Sequence, residues 1–242
     1  MPPPVNPSLA NAHINAQQRL RLIVAEAVRG AWRGLPGYDD RDVDAFLASA
    51  LPAVEAGRRQ SVALTEAFLA RAVRRQPNGA DVDRIVAAIR NGADPRQVYR
   101  RPFVTTWTAL GSGADWSDAV ASGEARAVGM AATDVQLAMR DTLRDVGNAD
   151  EAILGYQRVP DGKACDLCLQ IAGQRYTTDE LQPIHNNCGC SVDVITATER
   201  GAFSGNYSND PILTREGAVE VREHGELGPV LVNGEHDFTQ LH

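Results

Sequence analysis

The sequence predicts a mainly α protein, in which a multi-helix amino-terminal module is followed by a small α+β domain and an extended carboxy-terminal arm. Apolar residues recur every three or four positions through most of residues 9–150, as amphipathic helices require. All four cysteines lie within residues 165–190, between short alternating segments that are typical of strands. From residue 199 onward the helical period is lost. The predicted divisions are a disordered, proline-rich lead-in (1–8), a helical domain (9–150), a cysteine-containing domain (151–198) and the arm (199–242).

The first helix is predicted to run from about Leu9 to Trp32. Its apolar residues are spaced by three and four positions, which places them on one face of a helix. The segment from Gly34 to Gly37 contains a proline and two glycines, so it ends the helix. The positions predicted to face the core are Leu20, Ile23, Val24, Ala27, Val28 and Trp32.

More helical segments follow along the chain. Residues 40–75 have helical spacing, and Pro52 within them indicates either two consecutive helices or one bent helix. A short helix is predicted for residues 81–90. Asp94 followed by Pro95 is the expected start of the next helix, because aspartate caps free backbone N–H groups and proline suits the first helical position. The apolar stripe of that helix consists of Phe103, Val104, Trp107 and Leu110.

The last helix is predicted for residues 116–146, after which the pattern changes. Residues 156–159 alternate in polarity and are followed by a Pro-Asp-Gly turn. Residues 191–195 also alternate, as expected of a strand. The cysteines therefore lie between two predicted strands, in a part of the chain that differs from the helical domain.

The charge is distributed unequally along the chain, which has a net charge of −7. Residues 1–110 contain 15 arginines and 10 acidic residues (net +5), and residues 111–242 contain 9 basic and 21 acidic residues (net −12). The basic half either faces an anionic partner or simply has solvated arginine-rich helix faces. No apolar run approaches the roughly 18 residues of a membrane span, and no signal peptide is evident, so neither membrane insertion nor export is expected.

Five potential metal ligands occur in the order Cys165-x-x-Cys168, then His185-x-x-Cys188-x-Cys190. A Cys-x-x-Cys turn allows two thiolates to bind one ion, and zinc prefers four sulfur or nitrogen ligands in a tetrahedron. Cys165, Cys168 and Cys188 are three expected ligands, with either His185 or Cys190 as the fourth. In an extended segment Cys188 and Cys190 would face the same side, so both could reach the ion.

Other chemistries for this cysteine cluster are less consistent with the sequence. Disulfides are disfavoured in a reducing compartment, and no βαβ pattern supports a thioredoxin-like role. A zinc deaminase would have glutamate two residues after its histidine ligand, where this chain has Asn187. We therefore expect a structural zinc site and no enzymatic activity. The alternatives that stay open are a metal-dependent nuclease with His185 as general base, and a nucleic-acid-binding zinc protein.

The order of these motifs resembles a known family. Tyr156-Gln-Arg-Val-Pro-Asp-Gly-Lys-Ala-Cys165-Asp-Leu-Cys168, Ala172-Gly173-Gln-Arg-Tyr176 and Pro183-Ile-His185-Asn-Asn-Cys188-Gly-Cys190 resemble the carboxy-terminal domain of the phage Mu F-like (MuF-like) head morphogenesis proteins. More loosely, Arg101-Pro-Phe103 and His224-Gly-Glu-Leu-Gly-Pro-Val-Leu231 resemble the actinobacteriophage branch of that group.

The resemblance implies that residues 151–198 form a MuF-like zinc-binding domain of a minor capsid protein. Such a protein acts in head morphogenesis or DNA ejection and is associated with the portal or the inner capsid. The implied partners are the portal protein, the major capsid protein or both, with packaged double-stranded DNA, bound without sequence preference, as a further candidate. The implied location is the virion, reached from the host cytoplasm during assembly.

Overall fold

The computed structural model describes residues 7–180, 188–196, 212–214 and 217–232. As predicted, it is mainly helical, with a small antiparallel sheet near the cysteines. The helices are α1 (Pro7–Arg33), α2 (Asp40–Val73), α3 (Val82–Ala87), α4 (Pro95–Gly111), α5 (Trp116–Ala149) and α6 (Asp166–Gln170), with a 3₁₀ turn at Ile89–Gly92. The strands are β1 (Ile153–Val159), β2 (Arg175–Tyr176), β3 (Ser191–Thr196), β4 (Ile212–Thr214), β5 (Gly217–His224) and β6 (Gly228–Val232).

Helix starts follow the capping residues in the sequence. Asp39 accepts hydrogen bonds from the backbone N–H groups of Arg41 (2.8 Å) and Asp42 (3.3 Å), which completes a capping box at the start of α2. The Asp94 side chain accepts from the N–H of Arg96 at 2.9 Å, so the predicted start of α4 is confirmed. Helix α2 continues through Pro52, which makes it a single helix.

Several details of the predicted helices were wrong. Helix α1 begins at Pro7, inside the predicted lead-in, because proline is well tolerated in the first turn of a helix. Ile23, Ala27 and Val104 were assigned to core faces but are exposed, Ile23 by 67% and Val104 by 48%. The buried face of α1 instead includes the polar residues His13 and Gln17, which hydrophobic spacing does not mark. The apolar stripe was therefore placed slightly off the true buried face.

The main core lies where α1, α2, α4 and α5 meet. Trp32 packs on Phe103 with ring centroids 4.8 Å apart, and Phe46 contacts the same ring edge-on at 5.6 Å. Gly123 of α5 makes this packing possible, since a Cβ there would lie 2.5 Å from Cζ2 of Trp32 and 2.9 Å from the carbonyl oxygen of Pro102. The helical layer is thus tightest around Trp32.

The sheet of the cysteine region has the strand order β2-β1-β3, and both pairings are antiparallel. Its inner face shares one hydrophobic cluster with the ends of α2 and α5, through residues that include Phe68, Leu143, Tyr156 and Val192. Arg75, just after α2, also bonds the carboxylate of Asp150 at 2.7 and 2.5 Å. The change from helix to strand falls near residue 150, where the domain boundary was predicted, but the two parts share a core. The division into separate domains stays a prediction.

The described part of the predicted arm contains a second antiparallel sheet, β4-β5-β6. Strands β5 and β6 form a hairpin, with His224 opposite Gly228 at its closed end. Within the described residues, no helix combines the length and the apolar character that crossing a bilayer requires.

Ion pairs connect the basic first half of the chain to the acidic second half. Arg33 bonds Glu124 through two contacts of 2.8 Å, and the buried Arg90 bonds Asp134 at 2.8 Å. Arg101 also forms an ion pair with Glu226, and these two residues are further apart in sequence than the other two pairs. Much of the charge asymmetry is therefore matched inside the molecule.

Candidate metal centre

Three of the five predicted ligands converge in the structure. The Sγ atoms of Cys168, Cys188 and Cys190 all lie within 4.8 Å of one another, and those of Cys168 and Cys188 are 3.9 Å apart. In a tetrahedral site with Zn–S bonds of about 2.3 Å, sulfur atoms are about 3.8 Å apart. Each cysteine is at most 2% exposed. The three thiols can therefore hold a metal ion, and their spacing fits zinc.

The local backbone explains how these thiols meet. Cys168 lies in the short helix α6, whose first turn is closed by a 3.0 Å hydrogen bond from the Leu169 N–H to the Cys165 carbonyl oxygen. Cys188 and Cys190 come directly before β3 and are separated by one residue, so their side chains reach the same cluster. Strand β3 pairs with β1 along its length, which fixes this segment beside the helical body.

The remaining two predicted ligands have different outcomes. Cys165 is half-buried and packs against the edge of the cysteine cluster, next to the three converging thiols. His185 lies outside the described residues. All four cysteines belong to the described residues, and no disulfide bond joins any two of them.

Three arginines lie beside the cysteine cluster, two of them buried and one half-buried. Arg21 of α1 donates from Nη1 to the carbonyl oxygen of Cys188 at 2.7 Å. Arg158 of β1 is 1% exposed, donates from Nε to the hydroxyl of Tyr176 at 3.1 Å and lies over that ring. Arg140 of α5 is also 1% exposed. These arginines could not be identified as site residues from their sequence positions, since arginine side chains are normally solvated.

Burial and the mutual contacts of the thiols oppose negative charge on the sulfur atoms, whereas the charge of Arg158 favours it. Burial lowers the pKa of Arg140 to about 10, while the charges of Asp141 and Cys188 act in the opposite direction. Burial likewise lowers the pKa of Arg21, and Cys188 again opposes this effect. In the metal-free protein, contact with Cys188 and Cys190, together with burial, raises the pKa of Cys168 far above its usual range. A bound cation reverses that preference, because metals bind the thiolate form.

Apolar residues share one buried cluster with the cysteines. They are Leu137 of α5, and Leu227 and Val230 of the β5–β6 hairpin. A cavity of about 410 Å³ lies between α2 and α3, and its described lining contains no cysteine. Structural zinc sites are closed by protein ligands, whereas catalytic sites keep an open position, and the three clustered thiols of this site are buried.

One protein family matches this chain. The sequence model of the family described as VG15 protein matches residues 5–211, which include the helical body and all four cysteines. No curated protein and no solved structure matches the chain. Since the match covers most of the sequence, the chain belongs to the VG15 protein family, a family of phage proteins.

Proposed function

We propose that this VG15 family member is a non-enzymatic, MuF-like minor capsid protein of a tailed phage. Its place is at the portal or on the inner face of the capsid, and its role is in head morphogenesis, DNA ejection or both. Membership of a phage protein family supports the phage setting. The ordered cysteine motif, with Cys168, Cys188 and Cys190 clustered in space, supports the MuF-like interpretation.

The observation that carries the non-enzymatic part of the proposal is the burial of the cysteine cluster. Cys168, Cys188 and Cys190 are covered by Leu137 and Leu227, so a substrate would have no access to an ion held there. The proposed ion is a structural Zn²⁺. It would be held by these three thiolates and by Cys165 or His185, and it would link α6 to β3.

The internal ion pairs favour protein partners over DNA. Arginines of the basic half, such as Arg33 and Arg101, are already bonded to Glu124 and Glu226. Less positive charge is then available for phosphate groups than the sequence suggests. The portal protein and the major capsid protein are therefore the preferred partners in this proposal, with DNA as the lesser candidate.

Virion association is tested by fusing an epitope tag to the protein in its phage and purifying proheads and mature virions separately. We expect the tagged chain in both particles, at a few copies per particle. Its absence from both would contradict the proposal. Deletion of the gene should give particles that are incomplete or that fail to deliver DNA.

Metal content and catalysis are tested on the purified full chain. Elemental analysis without chelator should give one zinc per chain, and Cys188→Ser should remove it. Incubation with plasmid DNA and divalent metal should leave the DNA intact. Cleavage that is lost in His185→Ala would instead support the nuclease alternative.

A further inference from the structure

The turn between β5 and β6 touches both the helical body and the cysteine cluster. We call this turn, Gly225–Leu227, the hairpin tip. The carboxylate of Glu226 accepts two hydrogen bonds from Arg101 of α4, at 2.7 Å from Nη1 and 2.5 Å from Nη2. Both side chains are only about a quarter exposed. A bidentate, partly shielded pair of this kind is stronger than an exposed ion pair.

The next residue of the hairpin tip belongs to the cysteine cluster. Leu227 is 1% exposed and lies in one buried cluster with Cys168, Cys188 and Cys190. Its carbonyl oxygen accepts a 3.2 Å hydrogen bond from Nη1 of Arg140. Because Glu226 and Leu227 are adjacent, the ion pair to Arg101 fixes the position of the apolar cover.

A strained turn supports the same contact. Arg90 and Asn91 are consecutive non-glycine residues with φ of 46° and 56°, a left-handed conformation that is costly for both. The Asn91 side chain donates to the carbonyl oxygen of Gly225 at 2.8 Å. Nη1 of Arg90 lies 3.9 Å from the Glu226 carboxylate. The strained turn thus directs two side chains toward the hairpin tip.

We propose that the hairpin tip is a latch on the metal centre, in which the Glu226–Arg101 pair holds Leu227 over the cysteines. This inference rests on the proposed metal site and adds a control on it. Opening the latch exposes the thiols, so the Glu226–Arg101 pair sets how fast the ion leaves and how fast the thiols react with solvent reagents. Arg101 lies on α4, which supplies none of the candidate ligands.

The latch is tested by the rate of zinc release from the loaded full chain into an excess of chromogenic chelator. Loss of a charge-assisted pair should make Glu226→Gln release zinc about tenfold faster than the unmodified protein. Leu227→Ala should act in the same direction, although it keeps the ion pair. The matched control is Asp40→Asn, which removes an exposed 2.8 Å ion pair with Arg100. Arg100 lies on α4, as Arg101 does. Its release rate should be unchanged.

The outcomes separate the latch from the metal site. If Glu226→Gln binds one zinc, keeps its helical circular dichroism and releases the ion at the unmodified rate, the latch is overturned. If even the unmodified protein binds no zinc, the metal proposal fails. In that case the latch is tested by the rate at which a disulfide reagent modifies the thiols. Faster modification of Glu226→Gln than of the unmodified protein supports the latch, and equal rates overturn it.

Discussion

Arg21 and Cys188 are 167 residues apart in sequence, yet a 2.7 Å hydrogen bond joins the guanidinium of one to the carbonyl oxygen of the other. This bond ties the first helix to the segment that carries two of the clustered thiols. It also places a positive charge beside sulfur atoms that become negative when they bind a metal.

Replacing Arg21 should weaken metal binding. Arg21→Leu removes both the hydrogen bond to Cys188 and the nearby positive charge, so we expect zinc affinity to fall about tenfold. Chelator competition at constant pH measures the change. Arg19→Leu is the control, because Arg19 lies on the same helix and is exposed. Equal affinities of the two variants would show that Arg21 has no electrostatic role at the site.

The ligand set should be resolved by single substitutions. We expect Cys168→Ser, Cys188→Ser and Cys190→Ser each to lose zinc, because each thiol lies in the buried cluster. Cys165 packs against the cluster, and we expect it to be the fourth ligand. Elemental analysis should then show zinc retained in His185→Ala and lost in Cys165→Ser. The reverse pattern would assign the fourth position to the histidine.

Adding one methyl group to α5 should distinguish packed from open glycines. Gly123→Ala puts a Cβ 2.5 Å from the Trp32 ring and against Thr106, so we expect a loss of about 1–3 kcal/mol in the free energy of unfolding. At Gly129, six residues along the helix, a Cβ meets no described heavy atom within 4 Å. Gly129→Ala should stabilise the protein by about 0.5–1 kcal/mol through helix propensity. Urea unfolding measures both.

Acid should destabilise the protein through His13. Burial lowers the pKa of His13 to about 4, and the ring contacts Ser191 at 3.1 Å and stacks on Phe68. In the unfolded chain this histidine binds a proton near pH 6.5, well above the pH at which it does so in the native state. The free energy of unfolding therefore falls as the pH decreases from about 6.5 to about 4. Between pH 7 and pH 5 this should cost about 2 kcal/mol.

His13→Gln provides the control for that pH effect, because glutamine does not titrate. The free energy of unfolding of the unmodified protein should fall more steeply between pH 7 and pH 5 than that of the variant. The other titrating groups are shared by both proteins and cancel in the comparison. Parallel pH profiles would mean that His13 is protonated equally well in the native and unfolded states.

The sequence was sufficient for features that depend on local chemistry. Asp94 and Pro95 predicted the start of α4, since capping involves only neighbouring residues. The alternation after Gly189 predicted β3. The spacing of Cys168, Cys188 and Cys190 predicted that these thiols cluster in space, because cysteines spaced in this way are typical of metal sites.

Features that depend on long-range packing could not be predicted. His13 and Gln17 face the core because Ser61, Thr65 and Ser191 supply hydrogen bonds from other elements. Ile23 has the same hydrophobicity as a core residue but lies beyond the contact with α2 and α5. The arginines around the cysteines likewise become site residues only through the tertiary fold, since nothing in their local sequence differs from a surface arginine.

The hairpin tip and α1 lie near opposite ends of the chain, and both contact the cysteine cluster. Bringing such distant segments together has a high entropic cost, so these contacts are expected late in folding. The ion can reach its final, covered geometry only after that step. A closed metal centre would then mark a chain whose folding is complete, and slow exchange of the ion would distinguish mature subunits from partly folded ones.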